Sequence, residues 1–135
     1  MKVATLLNTA VAVSAGVSAA PLEPRSSFVQ VALPAPQNWV AGGSLFPGQV
    51  IAGYHGELGN YTADAWSAYV LEKCKSYAAC TSSITYSAIN SGSTGGRYWF
   101  GFAFRGGATT VADYERDEEV GTAVADSTAY TITSL

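Results

Sequence analysis

Arg97-Tyr98-Trp99-Phe100-Gly101-Phe102-Ala103-Phe104-Arg105 is the stretch that decides the fold. Side chains alternate across a strand. Tyr98, Phe100, Phe102 and Phe104 therefore line one face, and Arg97, Trp99, Gly101, Ala103 and Arg105 line the other. Four aromatic rings make the first face the expected core. The second face, an indole set between two cations, is the expected solvent face. Gly106-Gly107 ends the strand, and the Gly-rich run Ser91 to Gly96 before it reads as a hairpin loop.

Upstream, Ile84-Thr85-Tyr86-Ser87-Ala88 alternates as a second strand. Before it lies the one clear helix. Thr62 is its expected N-cap, and Asp64 stands in the first turn, where the helix dipole favours a carboxylate. Trp66, Tyr69, Val70, Cys74 and Tyr77 recur at steps of three and four and form the apolar face. Glu72, Lys73, Lys75 and Ser76 face outward.

Cys74 and Cys80 are the only two cysteines, so only one pairing exists. On a continuous helix, residues six apart are roughly 9 Å apart along the axis. A disulfide needs Cα atoms within about 7 Å. The helix must therefore end between them, with the chain turning back over Lys75 to Ala79. The spacing is not that of a C-x-x-C redox motif.

Farther out, the signals are weaker. Phe28 to Leu33 is strand-like and stops at Pro34 and Pro36. Ala35 to Gly48 reads as an irregular loop carrying Trp39 and Phe46. Val50 to Tyr54 reads as a strand, Gly56 to Asn60 as a turn, and Val111 to Val120 as irregular and acidic with room for one helical turn. Ala129 to Thr133 reads as the last strand. The sum is an α+β domain, one amphipathic helix packed on an antiparallel sheet of about five strands.

The start of the chain reads as an address. Met1 and Lys2 precede an uncharged, small and apolar run, and Val17-Ser18-Ala19 supplies a cleavage site, so residues 1–19 are an expected secretory signal peptide. That run is too short for a good membrane span, and no second span follows. A further cut after Arg25 would remove residues 20–25 as a pro-segment; an uncut terminus fits the same residues. Residues 26–135 then form a single secreted domain. Secretion agrees with pairing of the cysteines, and Asn60-Tyr61-Thr62 is the one N-glycosylation sequon.

Composition narrows the function. The 135 residues carry a net charge of −3, and seven Lys and Arg spread along the chain make no basic stripe for nucleic acid. One His and two Cys exclude a self-contained His/Cys zinc site. Asp113, Glu115, Asp117, Glu118 and Glu119 place five carboxylates in seven residues. Asp113, Glu115 and Asp117 have the spacing that opens an EF-hand loop, but Glu118 stands where that loop requires Gly, so a solvated acidic face is expected rather than a calcium site. No Gly-x-Ser-x-Gly elbow and no phosphate-cradling Gly-Lys-Ser/Thr is present. No metal and no cofactor is expected. His55 and Glu57 are the one acid–base pair that a small secreted hydrolase could use, although no second base or phosphate-binding cation can be placed beside them.

Cys74-Lys75-Ser76-Tyr77-Ala78-Ala79-Cys80 followed by Ile84-Thr85-Tyr86 resembles the helix-to-strand core of PAN/apple-like domains. Tyr98-Trp99-Phe100-Gly101-Phe102, Asp113-Tyr114 and Ala129-Tyr130-Thr131-Ile132 look like the later parts of small secreted fungal proteins grouped with that family. The resemblance implies a non-catalytic module that binds proteins or carbohydrates. Those domains usually carry two or three disulfides, and this chain has one pair. Phe28 to Gly48 has no counterpart in the family.

The expected function is therefore recognition of an extracellular protein or polysaccharide, outside the cell or at its wall, in an effector-like role. Trp99 with Arg97 and Arg105 is the expected contact surface, and Trp39 and Phe46 in the loop come next, because exposed aromatics grip both partner classes. A hydrolase built on His55 and Glu57 and a self-associating surface protein are the alternatives.

Overall fold

The helix begins and ends where local chemistry directs. The computed structural model describes residues 27–90 and 95–133. The expected signal peptide, the pro-segment and most of the Ser91–Gly96 loop lie outside the described residues. The Thr62 hydroxyl accepts the Ala65 backbone N–H at 3.0 Å, and Asp64 occupies the first turn. α1 (Ala63–Lys75) closes with Lys73 and Lys75 in its last turn, near the negative end of the dipole. The chain then turns back and the Cys74–Cys80 disulfide forms, with Cα atoms 5.4 Å apart.

Five strands make the main sheet: β1 (Phe28–Gln30), β3 (Val50–Glu57), β4 (Ser82–Ile89), β5 (Arg97–Phe104) and β7 (Ala125–Ile132). Their order is β1-β7-β4-β5-β3, and every neighbouring pair is antiparallel. This is the expected α+β architecture of one helix on a five-stranded sheet. β3 runs on to Glu57, so the expected turn shortens to a 3-10 turn at Leu58–Asn60.

A second, two-stranded sheet replaces two expected irregular stretches. β2 (Trp39–Ala41) pairs antiparallel with β6 (Tyr114–Arg116), Trp39 opposite Arg116 and Ala41 opposite Tyr114. Each strand is three residues long and finds its partner far along the chain, so no local pattern announces it. The expected helical turn forms as a 3-10 turn at Val111–Asp113, held by a reciprocal Thr110–Asp113 capping box. Ser127 ties the small sheet to the large one. Its hydroxyl accepts from Trp39 N at 2.8 Å and donates to Trp39 O at 2.7 Å.

The layers are thus helix, main sheet and small sheet. The helix lies on the face of β5 that carries Trp99, Gly101 and Ala103, so the expected assignment of faces is reversed. Tyr98, Phe100, Phe102 and Phe104 do not lie under it. The reason is the room each face leaves. A Cβ added at Gly101 would stand 2.7 Å from Val70 Cγ2, so the helix reaches the sheet because that side chain is missing. Gly56, on the neighbouring strand, makes the same allowance for the Trp66 ring at 3.0 Å. A row of four large rings would hold the helix off. On the other face, Phe104, Ile84 and Ala129 pack with Val31, Leu33, Leu45 and Tyr114 under the small sheet. Burying a ring such as Phe104 contributes about 1.5–3 kcal/mol.

Candidate functional site

The small sheet covers only one end of the face it packs on. Phe104 is buried there, but Phe102, Phe100 and Tyr98 are half-buried in sequence along the strand. Register brings Ile84 opposite Phe102 and Tyr86 opposite Phe100 on β4, and His55 opposite Phe100 and Glu57 opposite Tyr98 on β3. Phe46 reaches in from the loop before β3. It is 46% exposed and meets Phe102 edge-on, with ring centroids 5.3 Å apart. Tyr86 and Phe100 lie tilted at 6.1 Å.

These rings line an open trough. Two adjoining hollows of about 220 Å³ each share Val40, Tyr86 and Asp117. One is completed by Phe46 and Phe102 and the other by Phe100, Asn90 and Thr122. Asp117 is held in place by its own turn, where Oδ1 accepts from Glu119 N at 2.9 Å and from Thr122 Oγ1 at 3.1 Å. Burial pushes the Tyr86 hydroxyl above the usual tyrosine value, and the Asp117 carboxylate adds to the rise by repelling a phenolate. Tyr86 is therefore a neutral hydroxyl able to donate and accept at physiological pH. Aromatic faces beside a hydroxyl and a carboxylate can stack on a ring ligand and hydrogen-bond its polar edge.

The residues singled out from the sequence do not assemble into one surface. Trp99 is 5% exposed and packs with Trp66 and Val70. Its Nε1–H donates to the Leu58 and Tyr61 carbonyls at 3.1 and 3.2 Å, which is how an indole is satisfied inside a core. Arg97 is half-buried and donates to Ser87 Oγ at 2.9 Å. Arg105 is exposed at the far end of the strand, about 26 Å away at the rise of an extended chain. Trp39 is half-buried in β2, its Nε1–H donating to Pro34 O at 2.9 Å and its ring covered by the Arg116 guanidinium at 4.4 Å. The cation–indole pairing expected at Trp99 exists instead at Trp39, and there it holds the small sheet together.

His55 and Glu57 are both exposed on the same face of the edge strand β3. No hydrogen bond or ion pair joins them among the described residues. Asn60 is exposed in its 3-10 turn. In the acidic stretch, Asp113 accepts from Ser44 Oγ and Thr110 N, and Asp117 holds its turn, so these carboxylates serve loop geometry. No group of three or more His, Cys, Asp or Glu placed to hold a metal ion occurs among the described residues. No described helix is long and apolar enough to cross a membrane.

Of the trough residues, the sequence points only to Phe46, as an aromatic in the loop before β3; Tyr86, Phe100, Phe102 and Asp117 carry no such signal. The alternation of β5 names Phe100 and Phe102 as a pair on one face, but not which face stays open. The usable signal was size: Gly101 and Ala103 mark the side a helix can approach. No family model, no curated protein and no solved structure matches the chain.

Proposed function

We propose that the chain is a secreted, non-enzymatic recognition module that binds polysaccharide outside the cell or at its wall, with the aromatic trough as its contact surface. The observation that supports this most is the set of half-open rings, led by Phe46, around hollows that share Tyr86 and Asp117. Sugar rings offer C–H faces to aromatic rings and hydroxyls to polar atoms, and the trough supplies both kinds of partner. The PAN/apple-like resemblance points to the same class of module.

The test is co-sedimentation of the mature protein with insoluble chitin, β-glucan and mannan. At least one polymer should carry the protein into the pellet. Phe46→Ala and Tyr86→Ala should each weaken that binding about ten-fold, or roughly 1.4 kcal/mol. Absence of pelleting with all three polymers would turn the reading toward a protein partner. A hydrolase remains the second reading because register sets His55 beside Phe100, at the lip of the trough. Loss of polymer cleavage in His55→Ala would establish it.

A further inference from the structure

The trough has a charge as well as a shape. Asp117 forms the wall common to both hollows. Its Oδ1 is committed to Glu119 N and Thr122 Oγ1, while Oδ2 takes part in no hydrogen bond among the described residues. Beyond Asp117 the rim continues with Glu115, Glu118 and Glu119 around Val40. At the other end, Glu57 stands opposite Tyr98.

Apart from His55, exposed at the lip of the trough, and Arg105, exposed at the far end of β5, the basic side chains are turned away or engaged. Lys73 and Lys75 ride on α1, on the opposite side of the main sheet, and Arg97 donates to Ser87. Arg116 lies near the acidic rim, but its guanidinium covers Trp39 and donates to Asn38 Oδ1 at 2.6 Å and Pro36 O at 2.8 Å. A ligand in the trough therefore meets π faces and carboxylate. That pairing attracts an ammonium group from two directions, through the ring quadrupole and through a charge-assisted hydrogen bond. It disfavours a carboxylate-bearing sugar by like-charge repulsion.

We infer that the trough selects amine-bearing sugars, such as the glucosamine units of a deacetylated polymer, over their N-acetylated, neutral or acidic counterparts, a selectivity that rests on the trough being a carbohydrate contact surface.

The experiment is calorimetric titration of the mature protein with oligomers of glucosamine, N-acetylglucosamine and galacturonate in mildly acidic buffer. The glucosamine oligomer should bind about ten-fold tighter than the acetylated one, and the galacturonate oligomer weakest of the three. In Asp117→Asn the advantage of the amine should fall below about two-fold, since the amide oxygen keeps the two accepted hydrogen bonds while the charge is gone. If that variant fails to fold, a salt series on the unaltered protein decides: the amine preference must shrink as salt rises. Equal affinity for amine and acetylated oligomers, with no salt dependence, overturns the charge preference and leaves the polysaccharide reading standing. No heat with any oligomer, together with no pelleting on any polymer, overturns both.

Discussion

On one face of β5, Trp99, Gly101 and Ala103 are sealed beneath α1, whereas on the other only Phe104 is sealed and Phe102, Phe100 and Tyr98 are half open. The larger apolar area thus lies on the less covered side. Residue size explains the inversion. The helix needs a face on which its own Val70 can come within contact of the sheet backbone, and Gly101 supplies it. The aromatic face takes a thinner cover, two three-residue strands and the loop through Leu45 and Phe46, and that cover stops short. Apolar content alone does not tell a core face from a binding face; the fit of the covering element does.

The largest effect should come from breaking the sealed side. Trp99→Ala removes a buried indole and its two hydrogen bonds to the Leu58 and Tyr61 carbonyls. It should cost about 3–5 kcal/mol, a fall in melting temperature on the order of 15 °C or more. Phe46→Ala, on the open side, should cost about 1 kcal/mol from the lost edge-to-face contact. Calorimetry of the two variants side by side checks the contrast. Equal losses would mean that the open face is as structural as the sealed one.

An intermediate effect should follow from the disulfide, which fastens the end of the helix to the strand that follows. Cys74 and Cys80 are buried against Ala103, on the sealed side. Replacing both with Ala should cost about 2–2.5 kcal/mol by the chain-entropy relation for so short a loop. Chemical denaturation measures that loss, and polymer binding of the folded fraction should stay unchanged, because the trough lies on the other face. A parallel loss of binding would show that the two faces are coupled.

The smallest effect sharpens the comparison at the helix edge. The Tyr54 hydroxyl is pushed up to about 12, first by burial and then by the neighbouring Tyr77 and Tyr69 hydroxyls. The fold favours the neutral form, so the stability it carries is complete below pH 10 and is lost as pH climbs from 10 toward about 12. Melting temperatures across that range should fall, and tyrosinate absorbance should show a late-titrating ring. Tyr77→Phe should bring that titration down toward the ordinary value.

Much of the framework was legible because its causes are local. Thr62 and Asp64 set the start of α1 through contacts within one turn, and two cysteines six apart could pair only if the helix ended between them. The helix stripe was read less well. Tyr69 and Tyr77 fit its spacing, yet they are 38% and 41% exposed, and Ser67 is buried in their stead. Spacing locates a face, and the neighbouring surface decides how far round the helix the burial extends.

Of the site only Phe46 was legible, as an aromatic in a Pro- and Gly-rich loop. The site's rings come from the loop before β3 and from β4 and β5, and Asp117 joins them from beyond β6, so no window of sequence contains the trough. Trp99 misled because an aromatic between two cations looks like a surface feature, while its Nε1–H finds carbonyl partners that only the folded 3-10 turn presents.

By itself the sequence determined the class of fold, the limits of the helix, the disulfide partner and the existence of β5, all through signals acting over a few residues. Tertiary structure decided which face of β5 the helix would take, that Trp39–Ala41 would pair with Tyr114–Arg116, and that Phe46, Tyr86, Phe100, Phe102 and Asp117 would meet. Alternation along a strand is symmetric between its two faces, and only the shape of what packs on each can break that symmetry.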